Sequence, residues 1–407
     1  MSVAGAPPGA APLRVGIVAG EHSGDTLGAA LITALRARVP QVECFGVAGP
    51  KMIAAGCEAW ASADELGVMG LAEVLQHLPR LLRLRGELAR RFTSARPDVF
   101  VGIDSPEFNL QLARRLKAHG IRTVQYVSPQ VWAWRQGRVR TIGESCDLVL
   151  CVLPFETQFY ASHGVAALFV GHPLADEIPL DVDRGAARAT LGIDARVPLV
   201  ALLPGSRIAE VARLGAPFAA AAAHIVAQRP AYQFVAPMAS AAVREAFSRQ
   251  IAQVPGAPVI RLLEGEAQLA LAACDGALVA SGTATLETLL TGRPMVAAYR
   301  ANPVTAFIVR TMRLVKVPYF SQPNLLAGRR LVPEFLQEQV QGAALGTALL
   351  QEMEDPTHVR ELLEEFARQH RALRCGGAAR AAEAILRSLG RDSTSTTVSG
   401  ARAPAGT

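Results

Sequence analysis

Short apolar runs alternate with amphipathic stretches along most of this chain. Arg14-Val-Gly-Ile-Val-Ala19 reads as a buried strand closed by Gly20, with a helix predicted over Thr26–Arg38. Further first-half strands are predicted near Cys44–Val47, Val99–Ile103, Thr123–Val127, Leu148–Leu153 and Leu168–Val170. The second half predicts strands near Leu199–Leu203, Gln233–Ala236, Val259–Leu263, Gly276–Ala280 and Met295–Ala298. Continuous apolar strands alternating with helices predict an α/β fold with parallel sheets, because each crossover covers a sheet face with a helix. The stretch Ala175–Val197 is charged, contains proline and holds one short helix, which makes it the place for a hinge. After Pro333 the pattern turns helical to about Leu389. The expected organisation is a disordered 1–12, a first domain over 13–178, a hinge region over 179–197 and a second domain over 198–355. Helices over 356–389 and a disordered, Ser/Thr/Gly/Ala-rich tail over 390–407 complete it.

At 407 residues the chain can bury two full cores, and its composition is globular. The net charge of +6 favours an anionic partner but does not choose between nucleic acid, lipid headgroup and phosphorylated metabolite. No run of eighteen uncharged apolar residues occurs, so no transmembrane helix is expected. Met1–Pro12 lacks a basic start and an apolar core, so it does not read as a signal peptide. The six cysteines form no C-x-x-C pair and are expected reduced, in a cytoplasmic protein. The histidines have no metal-ligand spacing, and no protein-bound zinc is expected.

Ligands of such sheets sit at the carboxyl ends of strands, so the chemistry is sought in the loops that follow them. Pro204-Gly-Ser-Arg207 and Ser281-Gly-Thr-Ala-Thr-Leu-Glu287 are glycine-containing turns after apolar runs, rich in small hydroxyls. Such turns offer N–H groups and a helix N-terminus to a phosphate, and Arg207 adds a fixed cation. Glu287 lies where a ribose diol would be held, so a nucleotide-diphosphate sugar is the expected ligand. Gly20-Glu21-His-Ser23-Gly24-Asp25 reads equally as a phosphate or sugar loop and as a turn capped by Ser23 or Asp25. Its glycines do not form G-x-G-x-x-G. Asp104, at a strand end in Gly102-Ile-Asp-Ser-Pro-Glu107-Phe-Asn109, is placed either as a catalytic base or, with Ser105, as a cap ahead of Pro106. Trp132 and Trp134, beside Arg135, form either an acceptor wall or packing. His172 ends the last first-half strand, and Gln322 and Asn324 lie in a proline-punctuated loop, as substrate contacts or as loop braces.

The stretch from Leu66 to Arg91 alternates apolar residues with arginines, and between Leu78 and Arg96 six arginines face one acid. It reads as an interfacial membrane element through Val68, Met69, Leu81 and Leu82 with Arg80, Arg83 and Arg85, or as an ordinary surface helix.

Assembled in order, AGEHSGD, GVAGPKM, ELGVMGLAEVLQHLPRLLRLR, PDVFVGIDSPEFN, YVSPQVWAWR, VGHPL, LLPGSR, SGTATLE and PNLLAGRRLVPEFLQ resemble the lipid-A-disaccharide synthase family over about Arg14 to Leu386. The resemblance implies a GT-B fold of two Rossmann-like domains facing across a cleft. It implies an inverting glycosyltransferase that joins UDP-2,3-diacylglucosamine to 2,3-diacylglucosamine 1-phosphate (lipid X) through a β-1′,6 linkage. It further implies a cytoplasmic enzyme peripherally associated with the inner membrane, a homodimer with exchanged C-terminal elements, and no bound metal or other cofactor. The arginines cluster beside apolar residues with no recognised binding module, so no nucleic-acid partner is expected. Under this resemblance Asp104 is the base and Asn324 a second catalytic residue. Arg207, Ser281, Gly282, Thr283 and Thr285 hold the diphosphate and Glu287 the ribose. Glu21, Ser23, Gly24, Asp25, Trp132 and His172 are acceptor or loop candidates. His22 and Ala48 stand where members often carry Ala and Gly. The competing readings are another UDP-sugar enzyme on this fold, such as the peptidoglycan glucosaminyltransferase or a 2-epimerase, the latter needing no basic, lipid-facing first half, and a non-catalytic UDP-sugar sensor or two-lobed binding protein, which needs no Asp104.

Overall fold

The computed structural model describes residues 11–66, 71–133, 136–302 and 317–391, and only the backbone of 71–77. These residues divide into two compact units. The first runs to Val131, continues over Gln136–Pro173 and resumes at Gly376; the second holds Leu174–Cys375 with the short piece at Trp132.

The first unit is built on a seven-stranded sheet of order β3-β2-β1-β4-β5-β6-β7. Its strands are β1 (Leu13–Ala19), β2 (Val42–Ala48), β3 (Cys57–Ser62), β4 (Val99–Ile103), β5 (Arg122–Tyr126), β6 (Leu148–Cys151) and β7 (Ala167–Phe169). Every pair is parallel. The second unit has a six-stranded sheet of order β10-β9-β8-β11-β12-β13. Its members are β8 (Leu199–Leu203), β9 (Gln233–Met238), β10 (Ile260–Glu264), β11 (Gly276–Ala280), β12 (Met295–Tyr299) and β13 (Glu334–Leu336), again parallel throughout. In each unit the chain winds outward from a central strand, then returns to wind the other way. The reversal falls between β1 and β4 and between β8 and β11, and at such a reversal the following loops part and leave a crevice. Of the central strands β4, β8 and β11 are wholly buried and β1 is buried except at Arg14, because helices cover both faces, which is why they read as apolar runs.

The structure corrects three expectations. Helix α1 covers Glu21–Arg36, so AGEHSGD is strand end and helix start rather than a loop. Strand β3 was not foreseen, because Cys57-Glu-Ala-Trp-Ala-Ser62 is half-exposed at a sheet edge and lacks an apolar run. Glu334–Leu336, expected to be helical, is instead an edge strand paired with Ala297–Tyr299. Its three residues are too few to carry a period. The free cysteines at 44, 57, 146, 151 and 274 are buried. Burial pushes the thiols of Cys44, Cys57, Cys146 and Cys274 up to about 12, so they are packing groups rather than nucleophiles.

Two buried charges hold loops in place. Asp25 is 1% exposed and accepts hydrogen bonds from the backbone N–H groups of Gly49, Lys51 and Met52 at 2.9–3.1 Å. It therefore caps the next helix, α2 (Pro50–Ala54), instead of its own. In the second unit Arg188, on the helix Arg184–Leu191, is 2% exposed. It donates to the carbonyls of Ala273, Asp194, Ala195 and Val197 and, at 2.7 Å, to Asp275. Asp275 in turn accepts the N–H of Leu199 at 2.8 Å, at the start of β8. Arg188 thus fastens the segment before β8 to the sheet. Arg188→Met is expected to lower stability by about 3–5 kcal/mol, because it leaves a half-buried carboxylate and four carbonyls short of a donor. Urea unfolding measures this, and an unchanged midpoint would contradict it.

Candidate active site

The first unit places its chemistry at the β1/β4 reversal. A Cβ on Gly20 would lie 2.4 Å from the Ser105 hydroxyl oxygen, so only glycine lets the two loops approach this closely. Asp104 (φ +50°) and Ser105 (φ +40°) are consecutive non-glycine residues in left-handed conformation, which is costly and persists only where surrounding bonds hold it. The clamp is visible. The Asp104 N–H donates to the Tyr126 carbonyl at 2.9 Å. Its own carbonyl accepts from the amides of Asn109 at 2.9 Å and Gln125 at 3.0 Å. Asn109 also donates to Ile103 at 3.2 Å, and both amides are buried. Burial pushes the Asp104 carboxyl above the usual carboxylate range, and the Ser105 N–H pulls it partly back. Ser105 precedes α4 (Pro106–Ala118), but its side chain makes no cap. Gln125 was missed from sequence, although a single amide inside an apolar strand was a usable signal.

The neighbouring candidates divide. Glu21 (φ +70°) and Ser23 are exposed at the start of α1, while Gly24 packs on Ala19. Asp25 is committed to α2 and faces no solvent, which corrects its place among acceptor contacts. Glu107 is in a two-bond ion pair with Arg138 at 2.5 and 2.9 Å. Trp132 is buried, and His172 is half-buried beyond β7. Trp134 and Arg135 lie outside the described residues, as do Val68 and Met69.

The second unit brings its two turns together at the β8/β11 reversal. Arg207 stands at the N-cap position of α9 (Ile208–Gln228), makes no cap with its side chain, and is 70% exposed. Gly282 and Thr283 are exposed at the start of α12 (Thr283–Leu290), so the free end of this helix and a guanidinium share one side of the sheet. Ser281 donates to the Phe320 carbonyl at 3.2 Å. Thr285 is buried; its hydroxyl donates to the Gly282 carbonyl at 2.8 Å and accepts the Gln322 N–H at 3.1 Å. Thr285 therefore braces the turn, with its hydroxyl committed inside the protein. Glu287 is half-buried without a side-chain hydrogen bond among the described residues, and burial raises its pKa.

Asn324, expected at the chemistry, is wholly buried. Its oxygen accepts the N–H groups of Leu331 at 2.6 Å and Val332 at 2.9 Å, and its amide donates to Val332 at 3.0 Å. Glu334 closes the same loop, accepting the Ser321 N–H at 2.8 Å and hydroxyl at 2.6 Å. These residues fold the 320–334 loop onto the turn that carries Ser281 and Thr285.

Of the arginines in α3 (Leu71–Ala95), Arg85 is 8% exposed with its Nε unpartnered, and burial lowers its pKa, helped by the charge of Arg115. It packs inside the unit and is withdrawn from the membrane-facing set. Arg80 pairs with Glu65 at 2.9 Å. Leu81 is half-buried, whereas Leu82, Arg83 and the neighbouring Leu78 are exposed. Among the described residues no helix is long and apolar enough to cross a membrane.

Comparison with known proteins follows this geometry. A lipid-A-disaccharide synthetase family model matches residues 15–385. The lipid-A-disaccharide synthase of Alkalilimnicola ehrlichii is 51% identical over 380 residues, covering 93% of this chain and 99% of that protein. That of Pseudomonas aeruginosa is 52% identical over 379 residues, with the same coverages of 93% and 99%. Among solved structures, the UDP-GlcNAc 2-epimerase of Neisseria meningitidis matches with a TM-score of 0.59 at 13% identity, covering 93% of this chain and all of that one. The calicheamicin glycosyltransferase CalG4 matches with a TM-score of 0.55 at 18% identity, over 94% and 99%. At such identities these structures share the fold, GT-B. The chain itself belongs to the lipid-A-disaccharide synthetase family.

Proposed function

We propose that this protein is an inverting glycosyltransferase that transfers 2,3-diacylglucosamine from its UDP derivative to the 6-hydroxyl of 2,3-diacylglucosamine 1-phosphate. The products are UDP and lipid A disaccharide 1-phosphate. The near-full-length match at about half identity carries the activity. Asp104 is the base. Its carboxylate takes the acceptor hydroxyl proton as the oxygen attacks the anomeric carbon from the face opposite the phosphate. The bond to the phosphate oxygen breaks, and its electron pair leaves with UDP. Desolvation that raises its proton affinity, in a backbone held rigid by Asn109 and Gln125, supports this role. Arg207 stabilises the departing diphosphate, with Ser281, Gly282 and Thr283 beside it, and Glu287 holds the ribose. Asn324 and Thr285 act by positioning the loop around these groups, as their satisfied hydrogen bonds support. Peripheral membrane contact belongs to the α3 face with Leu78, Leu82 and Arg83. Exchange of C-terminal elements in a homodimer is part of the same proposal, and a monomer mass by light scattering would remove it.

Asp104→Asn is expected to reduce turnover by about 10²–10⁴-fold while leaving UDP binding intact, measured as acceptor-dependent UDP release. Normal turnover would exclude the base. In the parent, kcat/KM is expected to fall as pH drops through a value above the usual carboxylate range, since the base must be ionised. Stability runs the other way. The folded carboxyl binds its proton more tightly than the unfolded one, so stability is lost as pH rises through the folded pKa. Asp104→Asn is therefore expected to match or exceed the parent Tm at pH 7, with any gain vanishing in acid. A paired Leu78→Ser/Leu82→Ser variant is expected to lower transfer on acceptor-bearing vesicles and to spare UDP binding. Undiminished transfer would place the membrane contact elsewhere.

A further inference from the structure

The turn after β8 carries an anion of its own. The Oε2 atom of Glu210 accepts the backbone N–H groups of Ser206 at 3.0 Å and Arg207 at 3.3 Å. A Cβ on Gly205 (φ +126°) would lie 2.4 Å from the Glu210 Cβ and 2.6 Å from Oε2, so the carboxylate side chain lies directly across the turn. Successive N–H groups in a glycine turn at a helix start are what a phosphate uses, and here a side chain already occupies them. The other carboxylate oxygen stands 3.6 Å from Arg207 Nη1, too long for a firm hydrogen bond but close enough to offset part of the guanidinium charge. The guanidinium is 70% exposed and the carboxylate 35%.

We propose that Glu210 is a positioning residue of the donor site: it closes the Ser206 and Arg207 amides to phosphate, turns the Arg207 guanidinium outward as this turn's contact, and limits how tightly a nucleoside diphosphate is held. The inference rests on the reading of Arg207 as a diphosphate ligand. An incoming diphosphate then meets the guanidinium and the neighbouring Gly282–Thr283 helix start, with a like charge one side chain away. That charge favours departure of UDP once it is a product. A glutamate three residues into a helix also serves as a plain cap for the N-terminal amides. Capping alone predicts that losing the charge destabilises α9 and leaves nucleotide affinity unchanged or weaker.

The test is calorimetric titration of the full-length protein with UDP, for the parent, Glu210→Gln, Arg207→Ala and the double variant, with the Tm of each recorded without nucleotide. Glutamine keeps an acceptor for the turn and removes the charge. The expected result is UDP binding tighter by roughly three- to tenfold in Glu210→Gln at low salt, a gap that narrows at high salt. Arg207→Ala is expected to weaken UDP by about tenfold or more, and adding Glu210→Gln to it should restore little. Unchanged or weaker UDP binding in Glu210→Gln, with Arg207→Ala weakened, would overturn the role of Glu210 while leaving the donor site standing. Unchanged binding in Arg207→Ala would overturn the donor-site reading and this inference with it.

Discussion

The reversal of strand order at the centre of each sheet is the constraint on which the candidate site residues of that unit depend. Parallel strands deliver all their carboxyl ends to one side, and each crossover helix normally closes over the next strand. Only where the winding changes direction do two neighbouring loops lead away from each other. The β1/β4 pair and the β8/β11 pair are those places. The four loops that follow them carry Glu21, Asp104, Arg207 and Ser281–Thr283. Sequence separations of about eighty residues become adjacency because the register holds Ala19 beside Ile103 and Leu203 beside Val279.

Burial then sorts the polar residues by what they can do. Asp25, Arg188, Thr285 and Asn324 are buried with their hydrogen bonds made inside the protein. Such groups hold backbone in place and have little left to offer a ligand. Asp104 and Glu287 differ: both lose water without gaining an opposite charge, the Ser105 N–H offsetting only part of the loss at Asp104, and both are pushed towards the protonated form. A carboxylate left in that state at a strand end is poised to gain from a hydroxyl that approaches it. The strained backbone at Asp104 and Ser105 belongs to the same arrangement, since two buried amides are spent on holding one carbonyl.

Most of the architecture could be read before any coordinate, because a strand buried on both faces must be apolar throughout. The central strands β4, β8 and β11 were placed to the residue for that reason. Edge strands β3 and β13 escaped, since half-exposed pairing imposes no such run. Motif order alone carried the family.

Which polar residues face solvent is a tertiary matter. Local spacing allowed Asp25 to cap its own helix, but the packing of α1 on α2 gave it three donors from another one. Spacing likewise placed Arg85 among surface arginines, yet its position on α3 turns it inward. Spacing left Asn324 open between substrate contact and loop brace, and the family resemblance put Thr285 at the diphosphate; the folding of the 320–334 loop onto the β11 turn commits both side chains to bonds inside the protein. The chain's own apolar runs determined the buried strands, and its composition the residues available for chemistry. Three-dimensional packing alone decided which of those residues kept an unpaired charge, because hydrogen-bond partners distant in sequence meet only in the fold.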